Sequence, residues 1–182
     1  MKNEIIKRIL SSIILIPIAL FFIIKGSFLF IFFISVCFCI VVYEWHMMRK
    51  KKSYHFLGLF FLVFSFVTIY ELRFSTELNY TILLMVTVTC VATDIGGYIF
   101  GKLFKGPKLT KLSPNKTYAG MIGGYFLSLI SLSLCFQYYE FEFKIKWLFF
   151  ILIISTVSQL GDIIISYFKR LSKIKDTGKI IP

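Results

Sequence analysis

Six apolar runs, each approaching the roughly 20 helical residues needed to cross about 30 Å of hydrocarbon, set the limits on what this 182-residue chain can fold into. They cover residues 9–24, 28–43, 56–70, 80–100, 121–139 and 147–165. Inside a bilayer every backbone N–H and C=O must be satisfied without water, so runs of this length fold as helices. With 58% hydrophobic and 16% charged residues, the chain has too little polar surface to coat a water-soluble globule. The expected architecture is all-α: a polytopic integral membrane protein of about six transmembrane helices. It reads as a single membrane domain over 1–182, with amino-terminal spans in 1–79 and a site-bearing part in 80–182. A secretory leader could account for the first run, but only Lys25-Gly26-Ser27 separate it from the second, without a small-residue cleavage site. A tight helical hairpin fits better, and Pro17 sits mid-span, where a membrane helix tolerates it with a kink.

A net charge of +12 would suggest nucleic acid in a soluble protein, but here the positions of the cations decide otherwise. Of the 21 Lys and Arg residues, 17 lie at the amino terminus, in the second-to-third loop, in the fourth-to-fifth loop and in the tail. The opposite loops hold Lys25, Arg73, Lys144 and Lys146. The positive-inside rule then places both termini in the cytoplasm, with no nucleic-acid partner required. Cys37, Cys39, Cys90 and Cys135 fall within apolar runs without metal-ligand spacing and read as packing residues. His46 and His55 flank a basic loop and are expected to be solvated at the membrane surface.

Carboxylates in or beside spans are costly, and Asp94 and Asp162 stand out for that reason. Both fall near cytoplasmic span ends, so a topology obtained from Lys and Arg alone brings two aspartates from distant helices to one depth. Asp94 opens Asp94-Ile95-Gly96-Gly97-Tyr98-Ile99-Phe100-Gly101, where Gly97 and Gly101 have the small-xxx-small spacing of close helix contacts. Packing explains the glycines; the aspartate needs a cation, a donor or a metal. In the next loop Ser113-Pro114 looks like a helix entrance, a serine cap followed by proline at the first helical position. Lys116 and Thr117 would then occupy the first turn and suit a phosphate, although an ordinary cap on a basic loop explains them too. In the tail, Asp162, Ser166, Lys169 and Lys173 share one helical face. That stripe is either a solvated face or the acid-plus-cations set of a metal-bound polyphosphate.

Three segments resemble the phosphatidate cytidylyltransferase family, also called CDP-diacylglycerol synthases: the Asp94 helix end, Ser113-Pro114-Asn115-Lys116-Thr117-Tyr118-Ala119-Gly120, and residues 166–182. In the last, Ser166, Phe168, Lys169, Arg170, Lys175, Asp176, Gly178 and Pro182 stand in the order of that family's signature. The resemblance extends over roughly the carboxyl-terminal half. Ala119 stands where the family usually has glutamate. The signature would continue past Pro182 with Gly-His-Gly-Gly and an Asp-Arg-x-x-Asp-type acidic end, so the sequence reads as a fragment truncated within it. That end would supply a metal ligand opposite Asp162, and little or no activity is expected of the 182 residues alone.

The resemblance implies a nucleotidyltransferase of phospholipid biosynthesis, joining CTP to phosphatidic acid with Mg²⁺ and releasing CDP-diacylglycerol and pyrophosphate. It implies catalytic roles for Asp162, Lys175 and Asp176, and metal binding by Asp162, Asp176 and Asp94. Ser113, Lys116, Thr117, Lys169 and Arg170 would contact phosphates. The location implied is the cell (inner) membrane with a cytoplasmic site, and a homodimer is compatible with it. A CTP-using lipid kinase of the dolichol kinase type and a non-enzymatic transport or structural subunit are the alternatives. If Asp162 and Asp176 share one centre, their helix must break between them, because 14 residues of helix rise about 21 Å. The topology is open to measurement: cysteines placed at Lys50, Ser113 and Lys179 are expected to label from one common side. Labelling of Ser113 from the other side would overturn the orientation and the shared site together.

Overall fold

Each apolar run becomes one helix in the computed structural model, which describes residues 2–48, 55–74, 80–110, 113, 116–139 and 144–172, with the backbone alone for 2–13 and 48. The order is α1 (Lys2–Lys25), α2 (Ser27–Met48), α3 (His55–Phe74), α4 (Tyr80–Phe104), α5 (Tyr118–Tyr139) and α6 (Ile145–Leu171). Helices α2 to α6 are long and apolar enough to cross a membrane, and the described apolar part of α1 is Ile14–Lys25. Pro17 lies inside α1 without ending it. Most large apolar side chains point outward, among them Phe28 at 76%, Phe56 at 80% and Phe60 at 72% exposure. Such faces suit hydrocarbon rather than water.

The chain packs as two compact units, one built on Met1–Leu84 and the other on Met85–Arg170. In the first, α1 ends because Gly26 enters the left-handed region (φ 64°) and its N–H closes on the Phe22 carbonyl at 3.0 Å. Arg73 then covers exposed carbonyls at that end, donating from Nε to Ile23 at 2.9 Å and from Nη2 to Ile24 at 3.4 Å. A side chain at Gly26 would occupy the space of that guanidinium. Ile23, Phe30 and Leu83 form the core here. His55 departs from expectation: it is buried at 8% exposure, its carbonyl accepts the Trp45 indole N–H at 3.3 Å, and its ring packs on His46. Trp45 lies directly on Gly58.

The second unit joins most of α4 to α5 and α6. Between α4 and α5 the backbones meet: a Cβ on Gly96 would fall within the Gly123 carbonyl, and one on Gly120 would come within 2.6 Å of the Gly97 oxygen. Between α4 and α6 the contact is polar. The Thr93 and Ser155 hydroxyls, 2% and 0% exposed, lie 3.0 Å apart, and Thr93 also bonds the Thr89 carbonyl at 2.8 Å. The Tyr125 and Thr156 hydroxyls join α5 to α6 at 2.9 Å. Buried hydroxyls of this kind hold helices where apolar packing gains nothing over lipid. We expect Gly96→Ala to lower stability by about 1–3 kcal/mol through forced separation of α4 and α5. Gly161→Ala, with open space around it, should be neutral or stabilising by up to about 1 kcal/mol. Thermal unfolding of the two variants in detergent compares them.

Candidate functional site

The chain between α4 and α5 carries the first half of the site. Helix α4 stops after Phe104 because Lys105 and Gly106 both adopt positive φ (52° and 78°) and Pro107 cannot continue a helix. The loop then doubles back. Lys108 and Thr117 form an antiparallel bridge, the Leu109 N–H donates to the Lys116 carbonyl at 2.8 Å, and the Tyr118 N–H to the Pro107 carbonyl at 3.1 Å. This return sets Lys116 and Thr117 at the mouth of α5.

Here the sequence expectation needs correction. The helix begins at Tyr118 rather than at Ser113-Pro114, and its cap is Thr117, whose Oγ1 accepts the Gly120 N–H at 3.1 Å. Lys116 and Thr117 therefore precede the helix, held by the hairpin. Ser113 shapes the loop, its N–H donating to Thr110 Oγ1 at 3.2 Å and its carbonyl accepting the Lys116 N–H at 3.0 Å. Gly120 and Gly101 leave the room that the capping hydroxyl occupies.

Helix α6 carries the second half. Lys116 Nζ donates to Asp162 Oδ2 at 2.7 Å, across 46 residues of sequence. The pair borders a cleft of about 240 Å³ that Asp94, Tyr98, Thr117, Gly120 and Gln159 also line. Asp94 is close enough to interact electrostatically with both Asp162 and Lys116. Three residues singled out from sequence thus converge, Asp94 from α4, Lys116 from the hairpin and Asp162 from α6. Thr117 joins them, and the positive end of the α5 dipole borders the same space.

Other expected residues stand elsewhere. Ser113 does not line the cleft. Lys169 and Arg170 lie in the last turn of α6, two turns beyond Asp162, and Ser166 Oγ turns back to the Asp162 carbonyl at 2.7 Å. Helix α6 ends at Leu171, followed by a turn at Ser172, five residues short of Asp176. Lys173, Lys175, Asp176 and Gly178 lie outside the described residues.

The cleft also contains residues that were not singled out from the sequence. Gln159 reaches the Ser155 hydroxyl at 3.4 Å and the Met121 carbonyl at 3.5 Å, and Thr93 underlies Asp94. Their signal was position: a threonine one residue before one aspartate and a glutamine three before the other, both inside apolar runs. Among the described residues no three His, Cys, Asp or Glu side chains gather as a metal cluster. The carboxylates at hand are Asp94 and Asp162, beside the uncharged oxygens of Thr93, Tyr98, Thr117 and Gln159. Two aspartates beside one lysine give the cleft an excess of acidic over basic side chains, a set suited to receiving a cation. Magnesium is commonly held by one or two carboxylates together with substrate phosphates, and this donor set fits that pattern.

The cytidylyltransferase family profile matches residues 6–81 and 56–182. A phosphatidate cytidylyltransferase of Staphylococcus saprophyticus is 36% identical over 143 residues, covering 73% of this chain and 54% of that protein. The corresponding protein of Staphylococcus aureus strain N315 is 37% identical over 142 residues with the same coverage. That of Rickettsia typhi is 32% identical over 190 residues, covering the whole chain and 83% of its own length. The chain spans about half the length of these staphylococcal relatives. No solved structure matches it. The two matched stretches overlap, leave only the first five residues outside and contain every residue of the cleft, so the chain belongs to the cytidylyltransferase family.

Proposed function

We propose that this chain serves a phosphatidate cytidylyltransferase reaction at the cytoplasmic face of the cell membrane. CTP and phosphatidic acid are consumed, and CDP-diacylglycerol and pyrophosphate are formed for phospholipid biosynthesis. The observation that carries the reading is the Lys116–Asp162 pair at 2.7 Å, in a cleft shared with Asp94. A lysine and two aspartates from three segments meet where family relatives named for this activity align.

In the reaction an oxygen of the lipid phosphate attacks the α-phosphorus of CTP. The bond from that phosphorus to the α–β bridging oxygen breaks, and pyrophosphate leaves. Both substrates are polyanions and the cleft has more acidic than basic side chains, so the residues must manage charge. Asp162 and Asp94 would hold Mg²⁺, which when bound supplies neutralising charge to the substrate phosphates. Lys116 gives up Asp162 for a phosphate oxygen as substrate enters. Its ammonium then acts as a point charge on a three-donor head, matched to a tetrahedral phosphate. Thr117 keeps the α5 entrance fixed, so that the positive end of that helix faces the bound nucleotide. Lys169, Arg170 and Lys175 are proposed as outer phosphate contacts, and Asp176 as a further metal ligand.

In membranes carrying the complete protein, CTP labelled in the α-phosphate is expected to yield labelled CDP-lipid and unlabelled pyrophosphate. Release of CDP with phosphorylation of a lipid alcohol would overturn the proposal in favour of a kinase. Asp162→Asn and Lys116→Met should each lower the rate by about 10²–10³-fold, as expected for loss of one preorganised charge at a phosphoryl centre. The Lys116 and Asp162 side chains are 27% and 54% exposed, so their pairing adds little to stability. Lys116→Met should therefore change unfolding free energy by less than about 1 kcal/mol. Loss of activity with retained stability separates a chemical role from a structural one.

A further inference from the structure

A phosphate carried on a lipid must reach the cleft from the side, and the surface of α4 provides a graded route. Successive residues turn by about 100° on a helix, so positions four apart advance by about 40°. The stripe Asp94, Tyr98, Lys102 therefore winds away from the cleft while rising about 12 Å toward the end of α4. Asp94 and Tyr98 line the cleft. Beyond Lys102 on the same wheel come Ile95, Ile99 and Leu103, exposed at 45%, 40% and 70%. Tyr98 and Lys102 thus stand on the boundary between the cleft that holds the charged side chains and an outward apolar flank.

Their side chains face each other. Lys102 Nζ lies 5.6 Å from the centre of the Tyr98 ring and 3.5 Å from its hydroxyl. A helical side chain leans toward the preceding turn, so the ammonium leans back along the stripe toward the cleft. Tyr98 is 60% exposed, which leaves its hydroxyl accessible to a ligand beside the lysine.

We propose that Tyr98 and Lys102 form a lateral port that takes the phosphomonoester headgroup of a lipid from the adjoining leaflet and hands it to the cleft; this rests on the cytidylyltransferase reading of that cleft. Lys102 meets the anion at headgroup depth, and the Tyr98 hydroxyl donates a second hydrogen bond. The apolar flank of Ile95, Ile99 and Leu103 lies along the acyl chains. A nucleotide arriving from water has no reason to pass this flank, which assigns the port to the lipid substrate rather than to CTP. A doubly charged phosphomonoester gains more from the ammonium than a phosphodiester does.

The test titrates the same complete protein, purified in micelles, with phosphatidate or with phosphatidylglycerol and reads retained lipid by native mass spectrometry. CTP retention with Mg²⁺ is measured on the same samples. Lys102→Met is expected to weaken phosphatidate retention about tenfold, the loss of one charge-assisted contact. Lys102→Arg should restore it, phosphatidylglycerol should change little, and Tyr98→Phe should give a smaller loss. Unchanged phosphatidate retention in Lys102→Met overturns the port, and CTP binding by that variant would leave the reaction standing. An equal loss of phosphatidylglycerol, or displacement of phosphatidate by millimolar inorganic phosphate, also overturns it, as a general anionic contact or a free-phosphate site. If phosphatidate retention falls as expected but the unmodified protein retains no CTP, the port stands and the nucleotide reading fails.

Discussion

The backbone contact between α4 and α5 is the constraint on which the site depends. Helix axes usually lie 8–10 Å apart, a distance set by the side chains between them. Here Gly96, Gly97, Gly120 and Gly123 remove those side chains and the backbones themselves touch. With that spacing the mouth of α5 comes beside Asp94, and the Thr117 hydroxyl fits between Gly101 and Gly120. A side chain at Gly96 or Gly120 would press on the facing backbone and move Thr117, and with it Lys116, away from the carboxylates. The third helix is registered differently, through the Thr93–Ser155 hydroxyl pair one position before Asp94 and seven before Asp162. Small residues set the distance between α4 and α5, and buried hydroxyls set the depth of α6.

These two devices were legible in the sequence to different degrees. Membrane helices announce themselves by length and apolarity, because the bilayer admits few alternatives to a helix. All six helices accordingly lie where the apolar runs are. The Gly97-xxx-Gly101 spacing pointed to a close contact on α4, and its partner glycines on α5 are found only in the fold. The start of α5 was misplaced because two valid cap signals lie close together. Ser113-Pro114 has the composition of a helix entrance, yet backbone hydrogen bonds across the hairpin keep the chain out of the helix until Thr117. Such bonds leave no periodic trace in the sequence. The burial of His55 is likewise tertiary: an indole ten residues earlier, seated on a glycine three residues later, donates to its carbonyl.

The site residues show the same division between chemistry and geometry. Asp94 and Asp162 were identifiable because a carboxylate in an apolar run requires compensation. The identity of the compensating group was not identifiable. Lys116 is one of four lysines between α4 and α5, and only the fold brings it to 2.7 Å from Asp162. Gln159 was passed over because an uncharged amide costs less to place in a span and so attracts less suspicion.

An ion pair that adds little stability is a useful resting state for a charge-exchanging site. If Asp162 were unpaired, two carboxylates would face each other in a partly desolvated cleft, and their repulsion would oppose the approach of α6. If Lys116 were unpaired, its ammonium could settle on any passing anion. In the proposed site each member occupies the other's place, the carboxylate holding what a phosphate would hold and the ammonium holding what a cation would. Because the pair is part-exposed, separating it costs about as much as separating charges near water, on the order of 1 kcal/mol or less. Entry of a phosphate together with a cation replaces one contact with two stronger ones, whereas entry of either alone leaves one member without its partner. On the proposed reading, the arrangement favours simultaneous loading of anion and metal, which would suit a reaction between two polyanions better than binding them one at a time.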